Sequence, residues 1–231
     1  MERNEFQDIL KDAVNDAELK SSDIPSIELY VDQIINLHTE KLKEGSTRFY
    51  DRQLTKTMIN NYAKDRVITP VKGKKYTKEQ IIQILTVYTL KGTLSIGEIK
   101  RMLHGTCSAD KSLVELYDKY TSSKENTREY AQKVVEEMLA ENGLRIENDD
   151  DFFVAVATIS TMSAFMKSIA QAMIDAKYPE AEDESESDKE KKEKDKDKEK
   201  KEKEKKEKKD KEKKEKKKKS SDEVSGQEKN D

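Results

Sequence analysis

Adjacent asparagines are unusual inside a helix, because their amides compete with the backbone for hydrogen bonds. Asn60 and Asn61 nevertheless fall in the middle of a helical pattern in "LTKTMINNYAKDRVITPVKGKKY", Leu54 to Tyr76. An asparagine amide can bond an adenine edge or a phosphate oxygen, and a lysine attracts phosphate without demanding fixed geometry. Lys56, Tyr62, Lys64 and Arg66 accompany the pair, and Lys72, Lys74 and Lys75 flank Gly73. Residues of these types at this spacing suit contact with nucleic acid. Each also has an ordinary reading: surface asparagines are common, tyrosines often pack, and lysines solubilise. Tyr62 is divided between packing and phosphate contact, and Tyr76 reads as core at the base of a wing.

Charge along the chain favours the first reading. Residues 1–45 carry 5 basic and 11 acidic groups, residues 46–104 carry 12 and 4, and residues 105–179 carry 8 and 13. The positive charge is therefore confined to one central block flanked by acidic ones, which suits an electrostatic footprint for a polyanion. From Glu180 to Asp231 the chain holds 21 lysines against 21 acids and almost no apolar residues, so it reads as a disordered spacer or solubiliser. Interleaved glutamates there would repel phosphate as the lysines attract it.

The elements that must position the asparagines and lysines follow from periodicity and caps. A short amphipathic helix and linker occupy residues 1–23. Ser26, after Pro25, can cap a helix running to about Lys43, with Ile27, Tyr30, Val31, Ile34, Leu37 and His38 on one face. Thr55 can cap the next, to about Asp65, with Met58, Ile59 and Tyr62 inward. Pro70 stops it, and Val71, Gly73 and Tyr76 predict a small two-stranded hairpin tipped by the three lysines. Thr77 opens a strongly apolar helix, and Ser95 with Glu98 opens another as a capping box. Polar "TSSKEN" is expected to separate helices at about 111–121 and 125–141. The last helix, from the acids before Phe152 to about Tyr178, is apolar all round and must be covered by protein.

Helix, exposed polar helix, basic hairpin and two further helices is the order of a winged helix-turn-helix, which lays a helix in the major groove and a wing on phosphate. "TMINNYAKDRVITPVKGKKYTKEQIIQILTVYTLKGTLSIGEIKRML" resembles the MerR-type pattern. Together with "IPSIELYVDQI" and "LTKTMINNY" it also resembles a domain of unknown function (number 1836) from low-GC Gram-positive bacteria, over about residues 24–104. Tyr62, Val67, Ile68 and Pro70 agree with the MerR pattern. Asn60 and Asn61 replace its usual arginine and tyrosine, so the phosphate clamp those residues make is not carried over. Arg66 replaces a helix-stopping glycine, which predicts a different turn. The resemblance further implies dimerisation through the last helix and an effector nearby, whose chemistry the residues do not reveal.

The single cysteine, Cys107, excludes an intrachain disulfide and a multi-thiolate metal site, and Cys107, His38 and His104 are too scattered to suggest a metal. Paired catalytic carboxylates, a nucleophile elbow and a phosphate loop have no recognisable motif here, so neither an enzyme nor a cofactor is expected. The acidic N-terminus lacks signal-peptide character, and the uncharged run of 15 residues from Phe152 to Met166 falls short of the roughly 20 a membrane span needs, so a cytoplasmic chain without a membrane partner is expected.

The residues thus predict a mainly α protein. Its parts would be the N-terminal helix and linker (1–23), a MerR-like winged helix-turn-helix (24–106), a C-terminal helical bundle (107–179) and the disordered tail (180–231). The function predicted is DNA-binding transcriptional regulation by a homodimer paired through the last helix as a coiled coil. The alternative is a protein–protein interaction module on the same fold.

Overall fold

Caps and apolar periodicity account for most of the helices. The computed structural model describes residues 3–49, 53–107 and 112–180. Among them are α1 (Arg3–Ala13), β1 (Leu29–Tyr30), α2 (Val31–Leu42), α3 (Lys56–Lys64), β2 (Lys75–Tyr76), α4 (Lys78–Leu90), α5 (Ile96–Cys107), α6 (Leu113–Glu141) and α7 (Asp149–Lys177). The protein is mainly helical with one small antiparallel sheet. The expected disordered tail lies outside the described residues, apart from Glu180.

α4 is the centre of the core. Thr77 Oγ1 accepts the Gln80 amide while Gln80 Oε1 accepts the Thr77 amide, closing a capping box. Ile81, Ile82, Ile84, Leu85 and Val87 are all buried, so the helix is surrounded by protein on nearly every side. α3, α5 and α6 pack on it. α5 opens on the predicted reciprocal box, with Ser95 N–H donating to Glu98 Oε2 at 2.7 Å and Glu98 N–H to Ser95 Oγ at 3.2 Å. Leu19, Ile34, Ile59, Val67, Ile99 and Tyr117 join the same cluster.

Three expectations need correction. First, the hairpin within 71–76 does not form. β2 pairs instead with β1, Leu29 opposite Tyr76 and Tyr30 opposite Lys75. The backbone just before the turn is already engaged by α4. Thr69 N–H donates to Gln83 Oε1 at 2.8 Å, Gln80 Nε2 donates to the Pro70 carbonyl at 3.0 Å, and Pro70 has no amide hydrogen to offer a partner strand. This pairing also delays α2. The residues between Ser26 and Tyr30 are drawn into the approach to β1, so the helix begins at Val31, with the Tyr30 amide capped by Gln33 at 2.9 Å and Ile27 left exposed.

Second, "TSSKEN" does not break a helix: α6 runs through it without interruption. Hydroxyls of Thr121 and Thr127 bond carbonyls of the preceding turn, so they do not compete for the helical amides. Lys124 pairs with Asp16 at 2.5 Å and Glu18 at 2.8 Å, and Arg128 pairs with Asp16 at 2.9 Å, pinning the polar turns to the segment after α1.

Third, the described residues of this chain cover α7 only in part. Asn148 caps it through the Asp151 amide, and its two ends pack, Ala155 against Leu139 and Ile146, and Ile174 against the main core. Between and around these points Phe153 (73% exposed), Phe165 (60%) and Met173 (68%) face solvent. By length and composition alone, α7 is apolar enough to cross a membrane, which the 15-residue uncharged run had not suggested.

Candidate nucleic-acid interface

α3 is nine residues long and draws its orientation from two buried side chains, Ile59 and Tyr62. Thr55 caps it, its Oγ1 accepting the Met58 amide at 3.3 Å. Because α-helical neighbours recur at three and four residues, burying Ile59 and Tyr62 turns Lys56, Asn60 and Lys64 outward in one row, with Thr57 and Asn61 beside it. All five are exposed.

Tyr62 does not join them. It is 5% exposed, its hydroxyl has no partner among the described residues, and burial pushes its pKa up to about 12. The ring packs in the core beneath the exposed row. Tyr76 is buried as expected at the start of the turn into α4.

Arg66 is where local geometry departs most from ordinary backbone. Its φ is +54°, the left-handed region that glycine occupies readily and arginine does not. The conformation closes the helix: Arg66 N–H donates to the Ala63 carbonyl at 3.1 Å and Val67 N–H to the Tyr62 carbonyl at 2.9 Å, with Val67 fully buried. This is the glycine-type helix stop of a Schellman motif, built with an arginine. The altered turn expected from losing glycine does not occur; the side chain instead adds an exposed cation at the end of α3.

Residues 71–75 bring the remaining lysines. Gly73 has φ +81° and makes the bend, and Lys72, Lys74 and Lys75 are exposed around it. Lys75 Nζ lies 5.1 Å over the Tyr30 ring, which locates that ammonium through a cation–π contact. Among the described residues none of Lys56, Lys64, Arg66, Lys72, Lys74 and Lys75 takes part in an ion pair. Several cations elsewhere do, among them Lys20 with Glu125, Lys41 with Glu44, Arg101 with Asp175 and Lys124 with Asp16. For Asp16, burial acts to raise the carboxyl pKa, but bonds and charge from Lys124 and Arg128 outweigh it and hold the group below its usual range.

Sequence reasoning did not identify the residues that hold this surface in shape. Gln80 and Gln83 are buried amides of α4 bonded to Thr69 and Pro70, and Leu29–Tyr30 supplies the strand that receives Lys75. Two glutamines three apart on an otherwise aliphatic helix were the available signal. Among the described residues, no group of three or more His, Cys, Asp or Glu is arranged to hold a metal ion.

Residues 19–120 match the model of a family described as a domain of unknown function, DUF1836. The match runs beyond α5 into α6, and the ends of the matched stretch meet: the Tyr117 hydroxyl donates to the Leu19 carbonyl at 2.7 Å. Comparisons with curated proteins and with solved structures find no match.

Proposed function

We propose that the chain is a DNA-binding transcriptional regulator that lays α3 in the major groove and sets the 71–75 turn against the phosphate backbone. The observation that carries this reading is the set of six exposed cations without ion pairs among the described residues, gathered on α3 and two adjoining turns of an otherwise acidic chain. Asn60 and Asn61 stand among them as the groups able to read base edges. On this reading the arrangement is a variant of a MerR-like winged helix-turn-helix, with a loop paired to β1 where a hairpin wing would be. Tyr62 serves as packing beneath α3, so the contact set is Lys56, Asn60, Asn61, Lys64, Arg66, Lys72, Lys74 and Lys75.

Binding to genomic DNA fragments across a salt series tests the reading. Six neutralised phosphates per subunit correspond to a slope of log affinity against log salt of about −5. Neutralising Lys72, Lys74 and Lys75 together should weaken all sequences alike and flatten the slope by about 2 to 3. Asn60→Ala or Asn61→Ala should instead alter preference among sequences, with about 1–3 kcal/mol of discrimination at stake. No binding at low salt overturns the proposal and favours the rival, an interaction module whose cationic face docks an acidic protein.

A further inference from the structure

Helices α4, α5, α6 and α7 surround a cavity of about 480 Å3 to which α3 contributes nothing. Its wall is carbon, from Leu90 of α4, Leu103 of α5, Leu116 and Tyr120 of α6 and Ile174 of α7. Polar groups in that wall are turned away or satisfied. Thr86 donates to the Ile82 carbonyl at 2.8 Å, and the Tyr117 hydroxyl reaches out to Leu19.

The rim differs. Thr106 Oγ1 lies 3.5 Å from the Tyr178 hydroxyl, and Lys177 Nζ is 5.6 Å over the Tyr178 ring. Lys177 is the one charged side chain among the described residues lining the cavity, and it has no carboxylate partner among them. Polar struts set the distance between α7 and α5. Arg101 donates to the Tyr178 carbonyl and to Asp175, both at 2.8 Å, and Gln171 donates to Glu98 at 2.7 Å. Gly105 seats the Tyr178 ring so closely that a Cβ there would lie 2.2 Å from it. The helices are thus held by their polar edges and do not close on the apolar space behind.

No side chain among the described residues fills that space. An apolar, partly enclosed space of a few hundred Å3 with a few polar groups at one end is the form of a small-molecule site. We propose that this cavity binds an amphiphilic monocarboxylate, a medium-chain fatty acid, with its chain along the leucines and its carboxylate at Lys177 and the Tyr178 hydroxyl, the Thr106 hydroxyl being already donated to the Met102 carbonyl at 2.8 Å. At about 30 Å3 per heavy atom, a volume of about 480 Å3 has room for about 16 non-hydrogen atoms, enough for a medium-chain fatty acid. This site is independent of the DNA reading.

Calorimetric titration of the full chain with decanoate and decanol, both below their aggregation limits, and separately with phosphatidylcholine vesicles tests it. Decanoate is expected to bind one per chain and more tightly than decanol. Lys177→Gln should weaken decanoate roughly three- to fivefold and leave decanol unchanged, as for a partly exposed ion pair. Leu116→Trp, which fills the cavity, should abolish both, whereas Tyr130→Asp on the exposed face of α6 should alter neither. Absence of decanoate binding, binding to vesicles alone, binding indifferent to Leu116→Trp, or loss in Tyr130→Asp each overturns the proposal. If Leu116→Trp fails to fold by circular dichroism, the Lys177→Gln comparison of decanoate with decanol decides.

Discussion

His38 shows how one residue carries consequences the sequence half revealed. Its place on the apolar stripe of α2 was legible as a core-edge position. Its ring packs edge-on at 4.5 Å from Tyr88, its Nδ1 is unpartnered, and burial lowers its pKa from 6.5 to about 4. A base held below its unfolded pKa contributes stability that is complete above pH 6.5 and is lost as pH falls toward 4. The loss should approach about 3 kcal/mol at pH 4. Denaturant unfolding from pH 7 to 4 should register it, and His38→Phe, which keeps the ring contact, should remove most of this dependence. An unchanged slope in the variant would refute the assignment. The carboxyls of Asp16 and Glu98 are held below their ordinary values, so their contribution also falls as acid is added, and the His38→Phe comparison separates the histidine's share from theirs. The buried hydroxyl of Tyr62 was less legible, because spacing alone cannot say whether an inward tyrosine reaches past the core to a ligand.

At the scale of elements, caps were the best-read feature and strand pairing the worst. Thr55, Thr77 and Ser95 cap where their spacing to the following residues predicts, because the interaction is local. β1 and β2 are two residues each and 45 positions apart, and what decides their pairing is side-chain amides from α4 occupying the backbone of Thr69 and Pro70. Nothing local announces that. Likewise α6 continues through six polar residues because Asp16 and Glu18, more than 100 positions earlier, neutralise Lys124 and Arg128. The left-handed Arg66 belongs to this scale too. Arg66→Gly should relieve the strained φ and leave stability unchanged or raised by up to about 1 kcal/mol, while reducing the DNA salt slope by about 0.9. Thermal melts and the salt series together separate the two effects.

For the whole molecule, the basic block and apolar core follow from composition, whereas the fate of α7 does not. A helix apolar all round was expected to be enclosed, yet Phe152, Phe153, Val156, Phe165, Ile169 and Met173 are about half exposed or more. These side chains lie on more than one face of the helix, so only part of this apolar surface could meet a single partner. Met162, Phe165, Ile169, Ala172 and Ala176 step by three and four residues, the spacing of a helix-pairing seam, and Lys167 interrupts the apolar run in a way that suits an interface edge better than lipid. A homodimer along this seam would present two α3 helices to one DNA site. Light scattering should give twice the chain mass, with Phe165→Asp and Ile169→Asp together returning a monomer. Recovery of the intact chain with membranes would instead assign α7 to the bilayer.

The bond from Tyr117 to Leu19 joins residues 98 positions apart. Closing so long a loop is entropically slow and gains nothing until both ends are in place, so the contact belongs late on the folding route. Removing its hydroxyl with Tyr117→Phe leaves the Leu19 carbonyl without that donor, at a cost of about 1–3 kcal/mol. A contact made after the rate-limiting step affects escape from the native state and not arrival. Stopped-flow measurements on Tyr117→Phe should therefore show an unchanged refolding rate and unfolding faster by roughly 5- to 150-fold, which makes this hydroxyl a determinant of how long the folded protein lasts.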